Sequence, residues 1–186
     1  MNKNKRPHNY YKVNADSEVG KQLQALMDKC NEVSEQARQW AEKHGATSYY
    51  ESPEGIAGGI SALDFGTSPI PDGWEQIELP PSDGRVGVGL PKEGSLEEQE
   101  MYALPIVSET EFIAILQFKP RVNSKGQRMP FTFGNTTPIC FKHMGMWYVD
   151  MPYECEAEDV HPCTEKDFYR RRMAAMNTQD TEESFS

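Results

Sequence analysis

The stretch that most constrains this chain runs from Asp16 to His44 and carries the spacing of one long amphipathic helix. Val19, Leu23, Leu26, Met27, Cys30, Val33, Ala37, Trp40 and Ala41 recur at steps of three and four, which places them on a single stripe. Lys21, Gln24, Asp28, Asn31, Glu32, Glu35, Arg38 and Glu42 occupy the opposite, solvated face. Asp16 or Ser17 can accept from the free N–H groups of the first turn, and Glu18 suits the positive end of the helix dipole. Lys43 and His44 suit the other end, and Gly45 supplies a left-handed stop. The stripe drifts instead of holding heptad spacing, so it asks to be covered by a sheet more than by a coiled-coil partner. A homodimer seam is the alternative, and with it the reading of a dimeric structural or assembly protein.

The rest of the chain alternates short β-rich runs with turn signals. Residues 1–15 hold a possible short strand or arm at Tyr10, Tyr11 and Val13. Tyr49 and Tyr50, then Pro53-Glu-Gly55, then Ile56 to Phe65 read as a hairpin, with a bulge suggested by Gly58-Gly59. Trp74 to Leu79 and Arg85 to Leu90 read as strands. Ser95-Leu-Glu-Glu98 is a capping box that opens a short helix ending at Pro105. Glu109 to Phe118 fits helix or strand, with the Phe112 to Phe118 run rich in β-formers. Phe131 to Phe133, Ile139 to His143 and Met146 to Met151 read as strands, the last two joined at Met144-Gly145. Thr164-Glu-Lys-Asp167 caps a final helix through Met176. This order predicts an α+β fold: a long N-terminal helix on a mostly antiparallel sheet, a short middle helix and a C-terminal helix. Residues 1–176 are expected to form a single domain, and 177–186 a disordered acidic tail.

The chain has 186 residues and a formal charge of −10, which argues against direct binding to nucleic acid because phosphate repels such a surface. Arg170, Arg171 and Arg172 are its dense basic cluster. The sequence shows no long apolar run and no hydrophobic region after the basic N-terminus, so a cytoplasmic protein is expected. Four cysteines are expected to stay reduced there.

No Gly-x-Ser-x-Gly, Walker or His-Glu-x-x-His motif occurs, so no catalytic residue is assigned. Cys140, His143, Cys155, His161 and Cys163 are all zinc-ligand types, and they define the alternative of a small Cys/His-dependent enzyme with or without zinc. Their spacing is unlike the short Cys-x-x-Cys steps of structural zinc sites. For a binding protein the ligand-facing candidates are Tyr49, Tyr50, Gly58, Gly59, Trp74 and Arg85, where aromatics and adjacent glycines can meet a partner or a nucleotide-like molecule.

Ala37-Arg-Gln-Trp-Ala-Glu-Lys-His-Gly45, Pro71-Asp-Gly-Trp74, Leu90-Pro-Lys92, Met101-Tyr-Ala-Leu-Pro105 and Thr164-Glu-Lys-Asp-Phe-Tyr169 follow one another along residues 37–170. In this order they resemble short accessory proteins of tailed phages and prophages. With that resemblance, the acidic charge, the aromatics and the lack of catalytic motifs lead to the expectation of an accessory protein that binds, without catalysis, a host or anti-phage defence component, either a protein or a nucleotide signal. The resemblance implies no catalytic residues.

Overall fold

The computed structural model describes residues 8–51, 60–78, 87–129 and 139–183. The chain divides into two compact units, one formed by residues 1–27 with 109–186 and the other by residues 28–108. The architecture is α+β, with one long helix, two antiparallel four-stranded sheets, two short helices and a C-terminal helix.

Helix α1 spans Glu18–Lys43, as its periodicity predicts. Ser17 is its cap: the hydroxyl oxygen accepts from the Gly20 N–H at 3.0 Å. Asp16 instead turns its own N–H onto the Asn14 side chain. Leu23, Leu26, Cys30, Val33, Ala37, Trp40 and Ala41 are all buried, so the expected stripe is covered along its length. Gly45 ends the helix at φ +77°, where an L side chain is strained.

The first unit is built on a sheet of order β6-β7-β1-β8. Its strands are β1 (Asn9–Asn14), β6 (Ile139–His143), β7 (Met146–Met151) and β8 (Val160–Pro162). The N-terminal segment, readable only as a possible strand or arm, is thus an interior strand. It pairs Val13 with Trp147 on one side and Val13 with Val160 on the other. Alternation puts Val13, Tyr11, Trp147 and Val149 on one face and Tyr10, Lys12, Tyr148 and Asp150 on the other. Helix α4 (Glu165–Glu183) lies on the second face. Its fully buried Phe168 meets Tyr10 at 4.9 Å and Phe141 at 5.2 Å between ring centroids. Thr164 caps α4 through the Asp167 N–H at 3.1 Å. The helix runs to Glu183, past the expected end at residue 176, because no glycine or proline interrupts it.

The Glu109 to Phe118 ambiguity resolves as helix α3 (Glu109–Leu116). Phe112 and Leu116 are both buried and stand one turn apart, so burying this pair outweighs the β-propensity of the run. Only Phe118, past the helix, bridges in β fashion to Cys155.

The second unit carries a sheet of order β2-β3-β5-β4. The strands are β2 (Ser48–Glu51), β3 (Ile60–Asp64), β4 (Trp74–Gln76) and β5 (Val88–Pro91). The predicted hairpin is β2 with β3, and its register shifts between Tyr50 and Glu51. The Pro53-Glu-Gly55 turn, Gly58-Gly59 and the Phe131 to Phe133 run lie outside the described residues. In strand β5 Val88 is buried and Leu90, two positions on, is exposed, while Gly89 is covered by Phe65 and Ile70. Helix α2 (Leu96–Tyr102) begins at Ser95, whose hydroxyl accepts from the Glu98 N–H. The return arm of the box lands one residue early, with the Glu98 carboxylate accepting from Gly94.

Candidate interaction face

Trp74 anchors the core of the second unit. It is 5% exposed and packs with Trp40, Ala41, Ala46, Leu63 and Phe65. The His44 ring stands 5.5 Å from it and 4.9 Å from Trp40, both edge-on. Glu100 of α2 closes the arrangement, accepting from Lys43 Nζ at 2.9 Å, the Trp40 indole N–H at 3.2 Å and His44 Nε2 at 3.1 Å. A carboxylate only accepts, so Nε2 carries the His44 proton. These three donors, Lys43 foremost, hold the Glu100 carboxyl down at about 2. The arrangement is a clamp between the end of α1 and α2, and it removes Trp74 from the ligand-facing set. An indole this large is the natural centre of a small core, where its burial outweighs any role at the surface.

Of the other ligand-facing candidates, Tyr49 is half-buried against that same core. Tyr50 pairs its backbone with Ala62, while its side chain, Gly58, Gly59 and Arg85 lie outside the described residues.

The zinc-type residues all fall in the first unit, and the structure does not gather them. Among the described residues no group of three or more His, Cys, Asp or Glu side chains is placed to hold a metal. Cys140 and His143 sit on opposite faces of β6, since three positions apart on a strand inverts the side. His161 is exposed on β8 opposite Lys12. Cys155 turns its sulfur to Met151 Sδ at 3.0 Å, and burial pushes its thiol up to about 12. Burial and the nearby Asp167 also raise the Cys163 thiol. Thiols held this way are poor nucleophiles, because attack needs the thiolate.

A second polar pair, unmarked in the sequence reading, sits under the start of β1. Asp150 is fully buried, and both its oxygens lie 3.0 Å from His8 Nδ1. The His8 ring stacks on Tyr10, whose hydroxyl donates to Glu165 at 3.4 Å. Desolvation first, then Tyr169, Asp150 and Glu165, drive the Tyr10 phenol well above its usual range. These groups tie β1, β7 and α4 together. The only signal for the pair in sequence was an Asp in the middle of an apolar strand.

The outer face of α4 is different in kind. Tyr169, Met173 and Met176 follow at steps of four and three and are 41%, 59% and 53% exposed. Lys166 and Arg170 flank this stripe on one side and Arg172 on the other, by helical spacing. Asp167 pairs with Arg170 at 2.5 Å and stands 3.8 Å from Arg171. Glu165 stands one turn before Tyr169, so the apolar stripe has a rim of mixed charge. The sequence showed the spacing, but spacing alone cannot say which stripe a neighbour covers.

No protein-family model matches this chain, and no curated protein or solved structure matches it.

Proposed function

We propose that this chain is a phage or prophage accessory protein that binds, without catalysis, a host or anti-phage defence component in the bacterial cytoplasm, and that this component is a protein. The observation that carries the binding reading is the exposed Tyr169, Met173 and Met176 stripe of α4. Contiguous apolar surface left in water marks an interaction site, and flexible thioether side chains adapt to a partner's contours. The stripe sets the partner's chemistry: an apolar groove, with acidic groups where it meets Lys166 and Arg172. The accessory role rests on the resemblance alone. The burial of the Cys155 thiol and the structural contacts of Glu100, His44 and Asp150 support binding over catalysis at those positions.

The test compares tagged wild type with a Met173→Glu/Met176→Glu variant in host lysate by quantitative mass spectrometry. Light scattering is run on both proteins. One bacterial protein retained by wild type and lost by the variant, at unchanged circular dichroism, is the expected outcome. Equal retention by both refutes the stripe as the site. A concentration-dependent dimer broken by the variant would replace the foreign partner with a second copy of this chain.

A further inference from the structure

Between Glu111 and Asp150 the sequence holds no Asp or Glu, while Lys119, Arg121, Lys125, Arg128 and Lys142 all fall there. The first four lie on one short hairpin, in a chain whose formal charge is −10. At its base Phe118 bridges to Cys155, and Lys119 pairs with Glu154 at 3.1 Å beside Glu156. Beyond the base Val122 pairs with Arg128. The Met129 N–H donates to the Arg121 carbonyl at 2.8 Å, and the Asn123 N–H to the Gln127 carbonyl at 3.0 Å. Asn123 organises the tip: its side-chain oxygen accepts from the Lys125 and Gln127 N–H groups, both at 2.9 Å. Its amide donates to Gln127 Oε1, and Gly126 turns the chain at φ +74°.

This hairpin is held by its own hydrogen bonds, and its side chains stand in water. Arg121, Lys125 and Arg128 are exposed, as are Val122 at 61% and Met129 at 41%. Among the described residues no carboxylate pairs with these three cations. Cross-strand pairing puts Val122 and Arg128 on one face and Arg121 and Met129 on the other. Each face thus offers a guanidinium beside an apolar side chain, with Lys125 at the tip. The tip lies about 10 Å from the base at ~3.3 Å per residue, beyond the ~8 Å over which salt screens Glu154 and Glu156. A nucleic acid is the poorer match for this finger. Three cations release few counterions, and a duplex would carry its charge on past them against an acidic chain. Val122 and Met129 have no role on a phosphate backbone, whereas they suit a protein surface.

We propose that the hairpin of residues 121–129 docks into an acidic groove on a protein partner. Asp and Glu of that groove meet Arg121, Lys125 and Arg128, and apolar side chains meet Val122 and Met129. A tip ordered in advance by Asn123 lowers the cost of binding. The surface is separate from the α4 stripe and stands whether or not that stripe binds.

The test is fluorescence anisotropy of a labelled peptide alternating Glu with Leu, titrated with the full chain. A labelled DNA duplex is the second probe. Saturable, salt-sensitive binding of the peptide is expected. Arg121→Gln/Lys125→Gln/Arg128→Gln weakens it by about ten-fold at unchanged circular dichroism. Asn123→Ala keeps every charge, frees the tip and also weakens it. No saturable binding of the peptide, or equal affinity in the triple variant, overturns the proposal. Full affinity in Asn123→Ala marks diffuse attraction between charges and overturns it as well. Tighter binding of the duplex, lost in the triple variant, replaces the protein partner with nucleic acid. Binding lost instead in Met173→Ala/Met176→Ala moves the peptide to α4 and removes the hairpin as its site.

Discussion

Replacing Trp74 by alanine separates a core residue from a ligand-facing one. The indole is 5% exposed and lies 5.8 Å from Trp40, 5.5 Å from His44 and 5.3 Å from Phe65, centroid to centroid. Truncation removes the ring, forfeits three aromatic contacts and opens a void bounded by Leu63 and Ala41. Large-to-small changes of this kind cost about 3–5 kcal/mol. That is a large share of the ~5–15 kcal/mol that holds a typical domain together. With a urea dependence of about 1–3 kcal/mol per molar, the unfolding midpoint falls by on the order of 2 M. Urea titration followed by far-ultraviolet circular dichroism reads the midpoint. Amide hydrogen exchange at Ala41, Leu63 and Phe65 then localises the loss, because these residues share the core cluster. Trp74→Phe keeps an aromatic ring against Phe65 and gives a smaller shift in the same direction. A Trp74→Ala protein with an unchanged midpoint and unchanged exchange would refute the packing argument, and it would return Trp74 to the ligand-facing set.

Two further perturbations probe the clamp at α2 and the start of α1. Glu100 has its pKa depressed from 4.5 to about 2, so its contribution to stability is complete above pH 4.5 and is lost as pH falls toward 2. Wild type should therefore show acid-dependent stability in that window, which Glu100→Gln flattens; identical slopes in the two proteins would show that Lys43, Trp40 and His44 do not stabilise the charge. Gly20→Ala should lower the melting temperature even though alanine favours helix by about 1 kcal/mol. The added Cβ would stand 2.1 Å from the Asn14 carbonyl oxygen, a backbone clash that forces the start of α1 away from β1. Overpacking of this kind costs about 1–3 kcal/mol, and a raised melting temperature would count against that close approach.

Local signals in the sequence were enough for the elements whose formation depends on neighbours within a few residues. The 3.6-residue stripe, the Ser17 cap and the Gly45 stop determined α1 almost to the residue. Thr164 and Ser95 marked two more helix starts, and Met144-Gly145 marked the β6–β7 hairpin. Tertiary structure decided everything that depends on which surface is covered. It made helix of the Phe112 to Leu116 run by burying both ends of one turn, and it drew β1 into the interior of a sheet between strands far along the chain. It placed Trp74 in a core and left Tyr169, Met173 and Met176 in water, although all four are large apolar side chains on periodic elements. It also separated the cysteines and histidines that composition had grouped, leaving His143 beside Arg171's helix instead of beside a thiol. The physical reason is common to these cases. Periodicity and capping are set by hydrogen bonds spanning three or four residues, whereas burial is set by contacts between separate segments, from Trp40 with Trp74 to Val13 with Trp147, whose pairing no local pattern encodes.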